Sequence, residues 1–431
     1  MTLVCFLLIL TGPWGSQTIS PSRDKIIDES EQPQQQQQQQ QRQETAVVDV
    51  PGICHTESVV RNTDPNHNYV HLRFWQHFGA DTAAAYRSQW QEFMQQQKNP
   101  PKRRLSKGRG IVLVAGNRDT FARALTTIKV LRNYQCTLPI EVWHLPDEQP
   151  SATLKDQLTR LDAVPRNLAT GSVRPVQQRR HNADKQFQIK AAAILNAGFN
   201  HIIYLDSDNI PTRDPSFLFD TSEYMSTGAI FWPDFWKTHG ENKIFDVLGI
   251  QCQDEWEQES GQMVIDKYRS WGPLQLAWYM QAHYEVYFQF LNGDKDTFKY
   301  AWKALGQAYH MVPTFLGMAG TMRERFCGHT MVQYFDDEPL FIHANLMKIT
   351  DRINFIENGN QERPWKLLKR YSVNHDTTWL LPEFHVSGGQ ACMDIRSDNG
   401  EPEAVTESFD DVIPGFQKMY FDLGGVGGET R

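Results

Sequence analysis

The chain has 431 residues, with 43 Lys and Arg against 51 Asp and Glu, for a formal charge of −8. That length allows a catalytic domain with a sizeable core plus appendages, and the acidic balance gives no electrostatic reason to expect a nucleic-acid partner. Aromatic residues reach 12%, with 12 Trp, enough for a large aromatic core and for faces that pack on the C–H surfaces of sugars.

In chain order, Met1 to Leu10 is apolar and stops at Thr11-Gly12-Pro13. A helix needs about 20 apolar residues to span a bilayer. Residues 1–14 are therefore expected as a short signal segment or signal anchor, directing the chain into the secretory pathway and to a membrane. Residues 15–69 are polar and carry the glutamine run Gln34 to Gln41; they bury too little apolar surface to offset chain entropy and are expected as a disordered stem. Residues 70–396 are expected to form the catalytic domain, and 397–431 a polar C-terminal tail. Val70 to Met94 has helical character, and NPPKRRLSKGRG (Asn99 to Gly110) is a solvated basic linker.

GIVLVAGN, from Gly110, is a near-continuous apolar run closed by Gly116, which predicts a parallel strand covered on both faces. Asp119 to Tyr134 has Phe121, Leu125, Ile128 and Leu131 at helical spacing behind an Asp cap. Pro139 to Leu145 predicts a second strand, ATLKDQLTRL a helix, and Ala183 to Gly198 a helix ended by glycine. HIIYLD (His201 to Asp206) predicts the next strand. This alternation predicts an α/β fold: a Rossmann-like, mostly parallel sheet flanked by helices, with ligands at the C-terminal ends of its strands. After Asp220 the pattern loosens. Trp271 to Leu291 is aromatic-rich but interrupted by Gln275, Gln281, His283, Glu285 and Gln289, so it reads as a helix facing a core and not as a span. Asp296 to Tyr309 predicts a helix, with Asp296 as its N-cap. Of the 6 cysteines, Cys5 lies in the apolar leader and the others have no zinc spacing. One or two disulfides suit an oxidising lumen, with pairing left open.

Asp206 and Asp208 stand at a predicted strand end. Residues i and i+2 of an extended segment face the same way, and keeping two adjacent carboxylates ionised needs a cation or strong donors. Mg²⁺ and Mn²⁺ take carboxylate and phosphate oxygens; the competing reading is an Asx-turn before Pro211. Lys190 lies about 12 Å up its helix from Gly198, and Asp206 about 16 Å up its strand from His201. The lysine is thus nearly level with the aspartates and able to reach the same phosphates; the alternative is a solvated helix lysine. His343 closes the apolar run LFIH, with Lys348 five residues on, and is either a further metal ligand or a satisfied core histidine.

With Lys190, Asp206-Ser207-Asp208 and His343 assembled, the chain resembles the GT-A class of nucleotide-sugar glycosyltransferases. More closely, it is similar to the fungal α-1,2-mannosyltransferases of glycosyltransferase family 71. The likeness runs from about Gly110 to Lys348 through YLDSDNIPTRDPSFLFD, TGAIFWPDFW, ESGQMVIDK, GDKDTF and FIHANLMK. It implies GDP-mannose as donor, Mn²⁺ (or Mg²⁺) as cofactor and an oligomannose or glycoprotein acceptor. It further implies retaining transfer in protein glycosylation or mannan synthesis, by a type II Golgi membrane protein with a luminal catalytic domain. Asp206, Asp208 and His343 would hold the metal, with Lys190 and Lys348 neutralising the leaving diphosphate. Gly116, at the end of the first strand, is counted among the donor-binding candidates. Asp234 and Glu259 are candidates for orienting acceptor or donor hydroxyls, with turn capping as the alternative. Trp232 and Trp236 would floor a sugar site or belong to the core.

Two other readings compete. A haloacid-dehalogenase-type phosphatase would use Asp206 as nucleophile and Asp336-Asp337 as its later acidic pair; the strand–helix units before Asp206 and the upstream Lys190 speak against it. A secreted carbohydrate-binding module without turnover is the non-enzymatic alternative.

Overall fold

The computed structural model describes residues 74–97 except 76, 108–177 and 189–346, and then 356–357, 360–361, 363–372, 381–387, 390–396 and 403–425. The expectations for the leader, the stem, most of the basic linker and Lys348 fall outside these residues.

Helix α1 (Ala80–Gln96) precedes strand β1 (Arg109–Val114), helix α2 (Arg118–Asn133), strand β2 (Ile140–His144), helix α3 (Ala152–Arg160), strand β3 (Ala163–Asn167), helix α4 (Ile189–Asn196) and strand β4 (His201–Asp206). The four strands lie parallel in the order β3-β2-β1-β4. The reason is visible in β1: Ile111 and Leu113 enter one core while Val112 enters another, each fully buried. A strand apolar on both faces requires layers on both sides. Helix α2 supplies part of one layer through Phe121, Ala124, Ile128 and Leu131. Its cap is not Asp119: Asn117 accepts from Thr120 N, and Thr120 Oγ1 accepts from Asn117 N, closing a capping box two residues earlier.

After β4 the chain enters a second pattern, which the loosened sequence after Asp220 did not foretell. A short strand β5 (Asn209–Pro211) leads to β6 (Ala229–Lys237) and β7 (Trp256–Asp266), then helices α5 (Trp271–Ala282) and α6 (Lys295–Ala304) and strand β8 (His310–Met311). Strand β7 inserts antiparallel between β4 and β6, and β8 lies parallel to β6, which completes the first sheet as β3-β2-β1-β4-β7-β6-β8. The mixed, mostly parallel α/β sheet is the class expected. The stretch from Trp271 to Leu291 is not one helix; it breaks at His283 and resumes as Tyr284–Tyr287. No helix among the described residues is long and apolar enough to cross a membrane. Helix α6 begins at Lys295, with Asp294 rather than Asp296 at the N-cap position.

The second sheet is antiparallel. It contains β9 (Gly317–Met322), β10 (Phe326–Phe335), β11 (Glu338–His343), β14 (Leu367–Tyr371), β15 (Leu381–Ser387), β16 (Gln390–Arg396) and β17 (Ala404–Ser408). A separate pair, β12 (Ile356–Glu357) and β13 (Asn360–Gln361), stands between β11 and β14 in the chain. The order is β15-β16-β10-β9-β14-β17, with β11 bridging β10 and β5. A disulfide, Cys327–Cys392, ties β10 to β16; Cys252 is also disulfide-bonded, and Cys136 is free and buried.

The expectation of a polar tail from 397 fails over residues 404–422. Strand β17 pairs with β14, and two short helices, α7 (Phe409–Val412) and α8 (Phe416–Asp422), place Phe409, Phe416 and Tyr420 around Trp365. Their ring centroids lie 5.5, 5.8 and 5.5 Å from that of the tryptophan. The apolar residues are few in this polar stretch, but a spacing of four puts Phe416 and Tyr420 on one helical face.

Candidate active site

The chain first passes from one sheet to the other at Asp206-Ser207-Asp208. Strand β4 ends at Asp206; after a tight turn the chain resumes as β5 and joins the second sheet by pairing with β11, Asn209 opposite His343. The backbone bond from Ala344 N to Asp208 O, 3.0 Å, locks that register. The histidine is thereby delivered to the strand end: His343 Nε2 lies 3.4 Å from Asp208 Oδ1 and 4.0 Å from Asp206 Oδ2. One ligand atom from each of Asp206, Asp208 and His343 falls within 4.8 Å of the others. Two carboxylates and an imidazole at this separation form a donor set for a divalent cation.

Strand β7 supplies the next wall. Its pairing with β4 ends at Leu205 opposite Gln262, so the preceding β7 residues Gly261, Ser260 and Glu259 lie alongside the aspartates. Gly261 is there for space: a Cβ would sit 2.5 Å from His343 Cε1 and Nδ1. Glu259 Oε1 faces His343 Nδ1 at 3.5 Å and accepts from Gly261 N. A carboxylate on the far side of an imidazole fixes the ring so that its other nitrogen points at the metal position. Burial pushes the Glu259 carboxyl above its ordinary range, opposed by His343 and nearby lysines. Burial alone would lower His343, but Glu259, Asp208 and Asp206 outweigh it and raise its pKa.

Lys190, on α4, reaches the same point. Its Nζ donates to Asp206 Oδ2 at 2.9 Å and to Ser260 Oγ at 3.1 Å, and pairs with Asp294 at 3.4 Å. Tyr204 OH donates to the other oxygen of Asp206, 2.7 Å away. Burial opposes the lysine's charge, yet Asp206, Asp294 and Glu259 hold its pKa above the usual value. Counting charges at this end of the sheet, Asp206, Asp208, Glu259 and Asp294 exceed Lys190 and His343. That excess is what a bound cation would neutralise.

The remaining candidates divide. Asp234, at the end of the apolar part of β6, is buried with both oxygens engaged: Oδ2 pairs with Lys295 Nζ at 2.7 Å and Oδ1 accepts from Phe235 N at 2.7 Å. Lys295 also pairs with Asp296 at 3.0 Å and lies over the Trp236 ring. Gly116 follows the β1 end that pairs with Asp206; its N donates to Thr120 Oγ1 and the Glu148 carboxylate fills the space of its missing side chain. Trp232 does not floor a sugar site. It is 0% exposed, donates its indole N–H to Tyr334 O, and packs edge-on against Phe341 in the core. The acidic pair Asp336-Asp337 forms the β10–β11 turn, at the opposite end of β11 from His343, with positive φ at both residues. Sequence reasoning missed Tyr204, Ser260, Gly261, Asp294 and Lys295. Only the charge alternation of Gly293-Asp294-Lys295-Asp296 offered a local signal; the others are ordinary strand residues until β4 and β7 are paired.

A family model described as "Mannosyltransferase putative" matches residues 108–258 and 251–335. The chain is 30% identical over 327 residues to the alpha-1,2-mannosyltransferase MNN21 of Candida albicans, covering 62% of this chain and 48% of that one. It is 26% identical over 313 residues to the alpha-1,2-mannosyltransferase MNN2 of Saccharomyces cerevisiae, covering 60% and 52%. It thus spans about half the length of the curated relatives it matches. The solved mannosyltransferase Ktr4p of S. cerevisiae aligns over 53% of this chain and 76% of that one, at 10% identity and a TM-score of 0.30. Over the strands and loops that carry Asp206, Asp208 and Glu259, the chain belongs to this mannosyltransferase family.

Proposed function

We propose that the protein is a GT-A-type, retaining α-1,2-mannosyltransferase that moves mannose from GDP-mannose to a mannoside acceptor, with Mn²⁺ as cofactor. The observation that carries this reading is the Asp206, Asp208 and His343 cluster with Lys190 beside it, in a chain of the mannosyltransferase family. Bound there, Mn²⁺ would be held by the two carboxylates and His343 Nε2 and would supply Lewis-acid stabilisation to the departing GDP. Lys190 places a fixed positive charge at the same point, Glu259 holds the imidazole in its ligating orientation, and Ser260 and Tyr204 fix Lys190 and Asp206 in turn. Lys348 joins the diphosphate clamp and Gly116 borders the nucleotide. Asp234, paired with Lys295, and Glu259 orient sugar hydroxyls. Because the donor is α-linked and the product is α-linked, the acceptor hydroxyl attacks from the face the diphosphate leaves, and its proton passes to the leaving phosphate oxygen.

The same reading takes residues 1–14 as an anchor, 15–69 as a stem and the domain from about 70 as luminal, in the Golgi. The phosphatase alternative has no support at the site, since Asp336-Asp337 sits at a distant turn. The test is to supply the protein with Mn²⁺, a panel of nucleotide sugars and oligomannose acceptors. Mannosylated product from GDP-mannose supports the proposal; no transfer from any donor overturns it.

A further inference from the structure

Between the two sheets lies a concavity of ≈ 380 Å³, lined by Trp256, Phe315, Asp337, Arg370, Tyr371 and Glu407 among others. It is within the size range of ligand pockets. Trp256 opens β7, three residues before Glu259, about 10 Å along a strand. Asp337 turns the chain into β11, whose other end is His343, a run of six residues and about 20 Å. Strand β7, which walls the ligand cluster, and the turn into β11, which carries His343, therefore also contribute to this pocket. The apolar layer is continuous between the two: Phe235, Phe315 and Tyr371 belong to one core, with Trp236, Trp256 and Leu346 packed against it.

The lining chemistry selects a ligand class. Trp256 is half-buried, with the Phe315 ring centroid 4.6 Å from its own and Lys237 Nζ 4.8 Å from it. Such a ring is held rigid and adds an apolar wall to the pocket that C–H surface can meet. Around it stand Thr314, Arg370, Asp337 and Glu407, of which the two carboxylates are exposed. Thr314 Oγ1 donates to Asp337 Oδ1 at 2.9 Å, which orients that carboxylate. Two acids against one arginine disfavour a phosphate or nucleotide, whose charge would be repelled. Carboxylates and a guanidinium do suit a neutral polyol, which both donates and accepts hydrogen bonds.

We infer that this pocket is a remote subsite for the acceptor: it binds a neutral sugar residue of an oligosaccharide whose terminal hydroxyl lies at the Asp206–Asp208–His343 centre. The inference rests on the transferase reading and assigns the site a preference for acceptors longer than one sugar. Apolar contact with the Trp256 wall and two or three hydrogen bonds in the pocket lower the KM of an oligosaccharide without touching the reacting atoms.

The test compares methyl α-mannoside with α-linked mannotetraose as acceptors, in the wild-type protein and in Glu407→Ala and Trp256→Leu. In both variants the KM for mannotetraose should rise about tenfold while kcat and the constants for methyl α-mannoside stay unchanged. Equal weakening for both acceptors, or no change for either, overturns the subsite. Should Trp256→Leu fail to fold, Glu407→Ala, a change at an exposed strand residue, decides alone. Should the wild type transfer no sugar at all, the transferase reading falls. The pocket is then judged by titrating mannotetraose against tryptophan fluorescence without donor. Saturable binding lost in Glu407→Ala supports it, and binding that is absent or unchanged overturns it.

Discussion

Asp208 and His343 lie 3.4 Å apart, carboxylate oxygen to imidazole nitrogen, because β11 hands the histidine to the turn that follows β4. Neither sheet contains the site by itself. The parallel sheet contributes Asp206 at its C-terminal edge, the antiparallel sheet contributes His343, and the Asp208 turn is the seam. Replacing Asp208 by Asn keeps the turn and removes a ligand charge. Transfer should fall by ~10²-fold or more, with Mn²⁺ binding by calorimetry weakened in parallel. Circular dichroism should remain that of the wild type.

Gly261 gives a finer test of the same geometry. A methyl group at this position would sit 2.5 Å from the His343 ring, in a strand whose backbone otherwise tolerates alanine. Gly261→Ala should displace the imidazole and lower metal affinity by about tenfold or more. Thermal melting should move less than in a large core truncation. Unchanged metal binding would mean that His343 does not ligate.

The raised pKa of His343 sets a direction for pH dependence. Burial lowers it, but Glu259, Asp208 and Asp206 more than compensate. In the metal-free protein the proton on His343 thus stabilises the fold below the ordinary histidine value of about 6.5, and this contribution is lost as pH rises through the higher folded value. A metal ligand must be neutral. Mn²⁺ affinity should accordingly strengthen as pH rises past the ordinary histidine value of about 6.5, and His343→Gln should flatten that slope.

Strands β1, β2 and β4 of the first sheet were legible in the sequence because each is a mostly apolar run, and α2 carries its own period; β3 and β7, which hold polar residues, were not. The i, i+2 rule put Asp206 and Asp208 together, and helix and strand rises put Lys190 level with them; the 2.9 Å contact is where that arithmetic pointed. The second sheet was not legible. Its strands, such as LPEFHVS and AVTES, alternate weakly, and what stabilises them is pairing with distant segments. Trp232 left two readings open, a sugar platform or the core, and the packed structure settles on the core. Glu259 and Gly261 gained their meaning from the pairing of β4 with β7.

The Cys327–Cys392 bond, spanning 65 residues, joins two strands of the second sheet. In the loop-entropy picture a closure of this length contributes roughly 4 kcal/mol. Cys392→Ala should lower the denaturant midpoint accordingly and, because β10 leads through its turn into β11, should also loosen His343. Equilibrium unfolding together with Mn²⁺ titration would show both effects; a stability loss without any change in metal affinity would separate the disulfide from the site.

The central claim is tested most directly by one assay: product formation from GDP-mannose and an oligomannose acceptor, with Mn²⁺ and with chelator, for wild type and Asp208→Ala. The expected result is an α-linked mannosylated product with the wild type in Mn²⁺ only, and none with the folded variant. Product that persists in Asp208→Ala, or a wild type that binds the sugars but releases no GDP, would contradict the account.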